Sequence, residues 1–307
     1  MTFLSTAPVV CPPGLLRRAK PLPRRPTVIV NAGADIAMES ARLAVDEGLI
    51  EPILVGDAAA INASAARLNW DISGYRLEPA ADEEAAAERG AAIAGAGEAA
   101  AIMKGHVHTD TFMAAILDRR AGLRTGRRFS HVFHMTVPDN DSELMITDAA
   151  VNIAPDLDTK MQILLNAVDM AHALGLETPR IAVLSGTEAA TERMPSSVEA
   201  AELARRAESA VSDALVCGPL AFDNAVSPAA ARLKGIDHPV AGHADILLVP
   251  NIETGNALFK MMVYFMAGCA AGIVLGAKVP IILTSRADPP AARLASTAIA
   301  ALLATGP

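Results

Sequence analysis

The sequence predicts an α/β protein with mostly parallel sheets flanked by helices. Short aliphatic runs recur along the 307 residues, separated by Ala-rich stretches long enough for helices. The runs show little apolar–polar alternation, the pattern of strands covered on both faces. The composition is 52% hydrophobic but only 3% aromatic, which calls for close aliphatic packing of helices on strands.

Taken in order, VIV at 28–30 precedes a helix running through Met38 to Glu47, and ILV at 53–55 stops at Gly56 and Asp57. Further strands are predicted at 131–135, 181–184, 215–217, 246–249, 273–275 and 281–283, with helices at 159–174 and 197–210 between them. Strands joined through helices of ten or more residues form parallel βαβ units. The apolar stretch 261–277 is broken by Gly268, Gly272 and Gly276, so it reads as helix, turn and strand and not as a membrane span. The first twenty residues carry prolines and lack a basic region ahead of their apolar stretch, which argues against a signal peptide. Turn formers cluster at 138–142 and mark a candidate domain joint.

The net charge of −8 and a single short basic stretch, Arg124 to Arg128, exclude an extended nucleic-acid surface. Three well-separated cysteines without a CxxC spacing point to a reducing, cytoplasmic setting. GxxxxGK[ST], GxGxxG in a strand-to-helix turn and GxSxG are all missing, which disfavours a P-loop, a nicotinamide dinucleotide and an α/β-hydrolase.

In open parallel sheets, ligands gather beyond the carboxyl ends of the strands. Those exits are rich in small and polar residues here. After 281–283 come Ser285, Arg286 and Asp288; the guanidinium fork of Arg286 suits phosphate or carboxylate. After 246–249 come Asn251, Thr254, Gly255 and Asn256, with Lys260 a turn or so further on. Asn251, Thr254 and Asn256 offer side-chain hydrogen bonds, Thr254 or Asn256 would cap the following helix, and Gly255 allows close backbone approach. Asp223 follows the strand at 215–217. The stretch MKGHVHT at 103–109 concentrates Lys104, His106, His108 and Thr109. Two histidines two apart suit a strand, and no third ligand follows nearby, so this stretch favours an anion or carbonyl contact over a metal.

Six stretches in order resemble the phosphate acetyltransferase and phosphate butyryltransferase family: GLIEPILVGD at 48–57, MKGHVHT at 103–109, TDAAVNIAPD at 147–156, GPLAFDNA at 218–225, PNIETGN at 250–256 and LTSRAD at 283–288. The wording of GPLA and SRAD is nearer the butyryl-type branch. The resemblance spans the chain from about Leu15 onward. It implies reversible transfer of a short acyl group between coenzyme A and inorganic phosphate, by direct attack of the thiolate on an acyl phosphate. It also implies a two-domain fold similar to the isocitrate and isopropylmalate dehydrogenases, with the active site in the inter-domain cleft. On that pattern residues 1–140 plus 285–307 form the first α/β domain and 141–284 the second, dimer-forming one. Acyl-CoA, phosphate and acyl phosphate are then the small-molecule partners. No metal or redox cofactor, nucleic acid or membrane is expected, and a homo-oligomer, often a homodimer, is.

The implied roles follow from charge. Attack on the carbonyl builds an oxyanion while phosphate leaves, and both need fixed donors. Arg286 is placed on the phosphate and the developing charge, and Ser285 on the carbonyl oxygen or sulfur. Lys104, His108 and Thr109 line the acyl-phosphate pocket. The acetyl-type pattern carries an Asp six residues after that Arg, where this chain has Ala292. The thiol base is therefore sought among Asp223, Asp288 and Asp148, with Asp223 ranked first. The same departure keeps open a catalytically silent CoA-binding or regulatory protein on the same fold. A metal-dependent dehydrogenase of that fold would need an aspartate cluster and an adenosine pocket, and neither is visible. His134 stands where the family usually has an aliphatic residue.

Overall fold

The computed structural model describes residues 3–138, 140–284 and 288–304, the side chain of residue 141 apart. In chain order the elements begin with α1 (Pro13–Ala19), β1 (Arg25–Val30), α2 (Asp35–Asp46), β2 (Ile50–Gly56), α3 (Ala58–Arg67), β3 (Arg76–Pro79), α4 (Glu83–Gly95), β4 (Ala101–Lys104) and α5 (Thr109–Leu117). They continue with β5 (Ser130–Val137), β6 (Asn140–Thr147), α6 (Leu157–Ala173), β7 (Arg180–Leu184), α7 (Pro195–Ala210), β8 (Leu215–Leu220), α8 (Phe222–Val226), α9 (Pro228–Leu233), β9 (Ile246–Leu248) and α10 (Ile252–Met266). The chain ends with β10 (Cys269–Leu275), β11 (Ile281–Ile282) and α11 (Pro290–Leu303).

The chain separates into a terminal unit, Val9–Arg127 with Ala271–Pro307, and a central unit, Met1–Pro8 with Arg128–Ala270. The sequence reading puts the joints at 140/141 and 284/285. The unit boundaries lie earlier because β11 runs parallel to β4 and antiparallel to β10, which draws both late strands into the terminal sheet. The turn formers at 138–142 sit inside the central unit, where they close the antiparallel β5–β6 hairpin with Val137 opposite Asn140.

The terminal sheet has the order β3-β2-β1-β4-β11-β10. Its pairs are parallel except for β10 with β11. Val28, Ile29 and Val30, Leu54, Ile102 and Ile281 are buried to the last atom, so both faces are covered. The central sheet runs β5-β6-β9-β7-β8 and is parallel from β6 to β8. Met135, Ile146, Leu184, Leu220, Leu247 and Val249 form its core. Phe133 of β5 stacks on Phe259 of α10 with ring centroids 3.9 Å apart. His134, buried on β5, has Nε2 3.1 Å from Oε2 of Glu143 on the paired strand, which supplies the charged partner an aliphatic residue would not need.

Several helices start where a short polar side chain takes an otherwise unpaired backbone N–H. The carboxylate of Asp57 accepts from Ala60 N–H, that of Asp82 from Ala85, that of Asp156 from Thr159, and the amide oxygen of Asn251 from Thr254. Asp57, Asp156 and Asn251 lie shortly after strand exits. The cap that starts a helix is thus placed at the edge where a ligand would meet the sheet.

Candidate active site

In the terminal unit the strand β4 ends on Lys104, opposite Val30 of β1. The next residue is Gly105. A Cβ there would lie 2.2 Å from the carbonyl oxygen of Val30, so only glycine lets the chain turn against β1. Two backbone hydrogen bonds hold the turn: Gly105 N–H to Val30 O at 3.0 Å and His106 N–H to Asn31 O at 3.1 Å. Asn31 adds its own amide, which donates to His106 O at 2.5 Å. On the other side β11 pairs Ile282 with Met103, so Thr284 leaves its strand beside Lys104.

Lys104 and Thr284 are 7% and 8% exposed. They line one pocket with Met103, Gly105, Ser40 of α2 and Arg293 of α11. His106 is in the loop after β4, and His108 is the N-cap residue of α5, so the strand ends before the two histidines and does not include them. The His108 ring is exposed and paired through Nδ1 with Glu83, and Thr109 opens α5, also exposed. Asp288 is half-buried and its carbonyl oxygen accepts from Arg293 Nη1. Ser285 and Arg286 lie outside the described residues. Ala292 is buried in α11, 2% exposed.

In the central unit the parallel strands again deliver the expected groups to one edge. Asp223 is exposed on α8, after β8. Asn251 and Thr254 are tied to each other: Thr254 donates from N at 3.0 Å and from Oγ1 at 2.7 Å to the Asn251 amide oxygen. Gly255 is buried, and a Cβ there would meet the Ala149 Cβ at 2.8 Å. Its lack of a side chain lets the start of α10 close onto the segment after β6. Asn256 is half-buried, and Lys260 is exposed with its ammonium 5.9 Å from the centre of the Phe259 ring.

The stretch TDAAVNIAPD is organised by Asp148, 2% exposed. Its carboxylate accepts from the backbone of His131 (3.1 Å), Ala150 (3.0 Å), Val151 (2.9 Å) and Asn152 (3.2 Å), and from the Asn152 amide (2.6 Å). With five internal donors on its oxygens, Asp148 holds the shape of this loop. That loop, with Arg128, Asp156 and Thr159, lines a pocket of about 450 Å³.

Among the described residues no group of three His, Cys, Asp or Glu side chains is placed to hold a metal ion. Burial, with Glu47 nearby, pushes the Cys11 thiol up to about 12, and burial raises that of Cys217, so neither offers a thiolate at neutral pH.

Both α/β units carry basic or hydrogen-bonding side chains at their parallel strand exits, and the comparisons place the chain among acyltransferases of the phosphotransacylase type. The chain belongs to the phosphate acetyl/butyryl transferase family: the family's sequence model, described as phosphate acetyl/butaryl transferase, matches residues 84–301. A phosphate acetyltransferase of Rhizobium meliloti is 46% identical over 91% of this chain and 88% of its own length. A phosphate butyryltransferase of Clostridium beijerinckii is 38% identical over 94% of this chain and 96% of its own. Relatives of both branches are thus near, and of these two the acetyltransferase is the more similar, although the wording of the motifs leans to the butyryl side. The crystal structure of a branched-chain phosphotransacylase from Enterococcus faecalis superposes with a TM-score of 0.80 at 31% identity, covering 91% of this chain and 99% of that one. A 4-hydroxythreonine-4-phosphate dehydrogenase from Burkholderia phymatum shares the fold at a TM-score of 0.57 and 16% identity, so the dehydrogenase-like architecture expected from the motifs is present. No comparison favours the catalytically silent reading.

Proposed function

We propose that the protein moves a short acyl group between coenzyme A and inorganic phosphate, as a cytoplasmic homo-oligomer. The coenzyme A thiolate attacks the carbonyl carbon of an acyl phosphate; the C–S bond forms, the C–O bond to phosphate breaks, and phosphate leaves with the electron pair. The reverse reaction starts from acyl-CoA and phosphate. What carries this reading is Lys104, a lysine 7% exposed at the exit of a parallel strand, within the stretch that the family relationship marks. A buried ammonium at a strand exit is well placed to bind an anion, and the acyl phosphate is an anion of the right kind.

In this reading Arg286 and Ser285 bind the phosphate and the carbonyl oxygen, with Lys104, His108, Thr109 and Asp288 around the acyl phosphate. Asn251, Thr254, Gly255, Asn256 and Lys260 serve the coenzyme. Asp223 takes the thiol proton: it is solvent-accessible, whereas Asp148 is buried in its loop. Support for the homo-oligomer comes from α10. Its outer face shows Met261, Tyr264, Phe265 and Met266, between 42% and 58% exposed, and only Gly255 of the helix is buried. No helix among the described residues is long and apolar enough to cross a membrane.

The test is thiol release from acetyl-, propionyl- and butyryl-CoA with phosphate present, repeated with Arg286→Gln. Phosphate-dependent release that falls about 100-fold in the variant, roughly 3 kcal/mol of barrier, is the expected result. No release with any acyl-CoA would overturn the reaction, and full activity in a folded Arg286→Gln protein would remove that arginine from it.

A further inference from the structure

Arg293 is the only charged residue in the stretch 292–302 of α11, every residue of which is buried. It is 6% exposed. A guanidinium stays charged at any physiological pH and carries five N–H donors. Here Nη1 donates to the carbonyl oxygen of Asp288, while Nε is buried without a hydrogen-bond partner among the described residues. Burial pulls its proton affinity down, and the charges of Asp288 and Glu39 act in the opposite direction. An arginine buried with a donor unspent is costly to the fold unless something meets it.

Its surroundings name that something. Arg293 shares its pocket with Lys104, also buried, and with the hydroxyls of Thr284 and Ser40. Two desolvated cations and a hydroxyl at the carboxyl edge of parallel strands select a compact, multiply charged oxyanion. The enclosed space is about 20 Å³, enough for one oxygen atom with its hydrogen bonds.

We propose that Arg293 is a second phosphate-binding residue, which with Lys104 receives one phosphoryl oxygen of the acyl phosphate, or of inorganic phosphate in the reverse direction. The inference rests on the acyl-transfer reading for its substrate. It assigns the phosphate end of that substrate to a residue outside the LTSRAD stretch. A bidentate-capable fork held by the Asp288 carbonyl keeps its geometry through the reaction, so its effect falls on phosphate and not on the coenzyme.

The experiment combines steady-state kinetics with thermal unfolding in a titration of inorganic phosphate, on the full chain. For Arg293→Met, the KM for phosphate rises at least tenfold, the KM for acyl-CoA stays within twofold, and the phosphate-dependent rise in Tm seen for the wild type disappears. Arg293→Lys keeps the charge without the fork and gives an intermediate KM. An unchanged phosphate KM and Tm response in folded Arg293→Met overturns the proposal. So does an equal rise in both KM values, which a merely structural residue would produce. If Arg293→Met does not fold, Arg293→Lys decides by the same two readouts. A wild type that shows phosphate stabilisation, lost in Arg293→Met, but no thiol release would leave the subsite standing and remove the reaction.

Discussion

The imidazole of His108 stands with Nδ1 2.8 Å from Oε1 and 3.0 Å from Oε2 of Glu83, and its backbone N–H donates to the same carboxylate at 3.3 Å. Glu83 is the first residue of α4 and His108 caps α5, so the pair ties together two helix starts in the terminal unit. A carboxylate on Nδ1 fixes the proton there and leaves Nε2 as an acceptor. If His108 contacts the acyl phosphate, His108→Ala lowers kcat/KM about tenfold and Glu83→Gln lowers it by a smaller factor, since the ring remains but loses its orientation. Wild-type kcat/KM in both variants would remove the pair from the site.

Gly105 sets the course of the chain at Lys104. The clash of an added Cβ with Val30 O predicts that Gly105→Ala loses about 2–3 kcal/mol of stability in urea unfolding, because backbone on both sides must shift. A loss under 0.5 kcal/mol would show that β4 can move away from β1 at little cost.

His131 gives the central unit a pH dependence. Its ring is 1% exposed, and burial pushes its pKa from 6.5 down to about 4, with Asp148 opposing the shift. The folded state therefore holds the ring neutral. Its stabilising contribution is present above pH 6.5 and is lost as pH falls towards 4. Between those values the wild type should lose about 2–3 kcal/mol more stability than His131→Asn, measured by denaturant unfolding at each pH. Parallel curves would show that His131 is not the group responsible.

The exposed face of α10 makes an assembly prediction. Met261→Glu with Tyr264→Glu places charge on that face without touching a buried side chain. Light scattering should show the wild type as an oligomer and the double variant at half its mass or less. An unchanged mass would move the interface elsewhere.

Much of the sheet was legible because covered parallel strands must be aliphatic. Every run predicted as a strand overlaps one. Three strands escaped for physical reasons. β4, AIMK, is buried along its length but has only four residues and directly follows an Ala-rich stretch that reads as helix. β3 is a four-residue segment, RLEP, without a fully buried side chain, and β6 begins with Asn140, Asp141, Ser142 and Glu143, polar because a hairpin turn precedes it. In the site, Lys104 was legible from its motif, whereas the helix cap expected from Thr254 or Asn256 is made by Asn251. Gly255 was read for ligand approach, yet it is Ala149 that approaches it. Arg293 was missed because an arginine among alanines normally marks the wet face of a helix. Only the burial of α11 along 292–302 separates it from that class.

The lysine-bearing strand β4 ends at residue 104, whereas β11, which leads to Thr284, and α11, which carries Arg293, begin at 281 and 290 and contribute the late part of that pocket's wall. During synthesis the ribosome must therefore make the whole central unit before the terminal sheet can be closed. Until then β4 presents an open edge and the ammonium of Lys104 remains hydrated. A nascent or prematurely released chain thus lacks a complete pocket around Lys104 until its last helix is made.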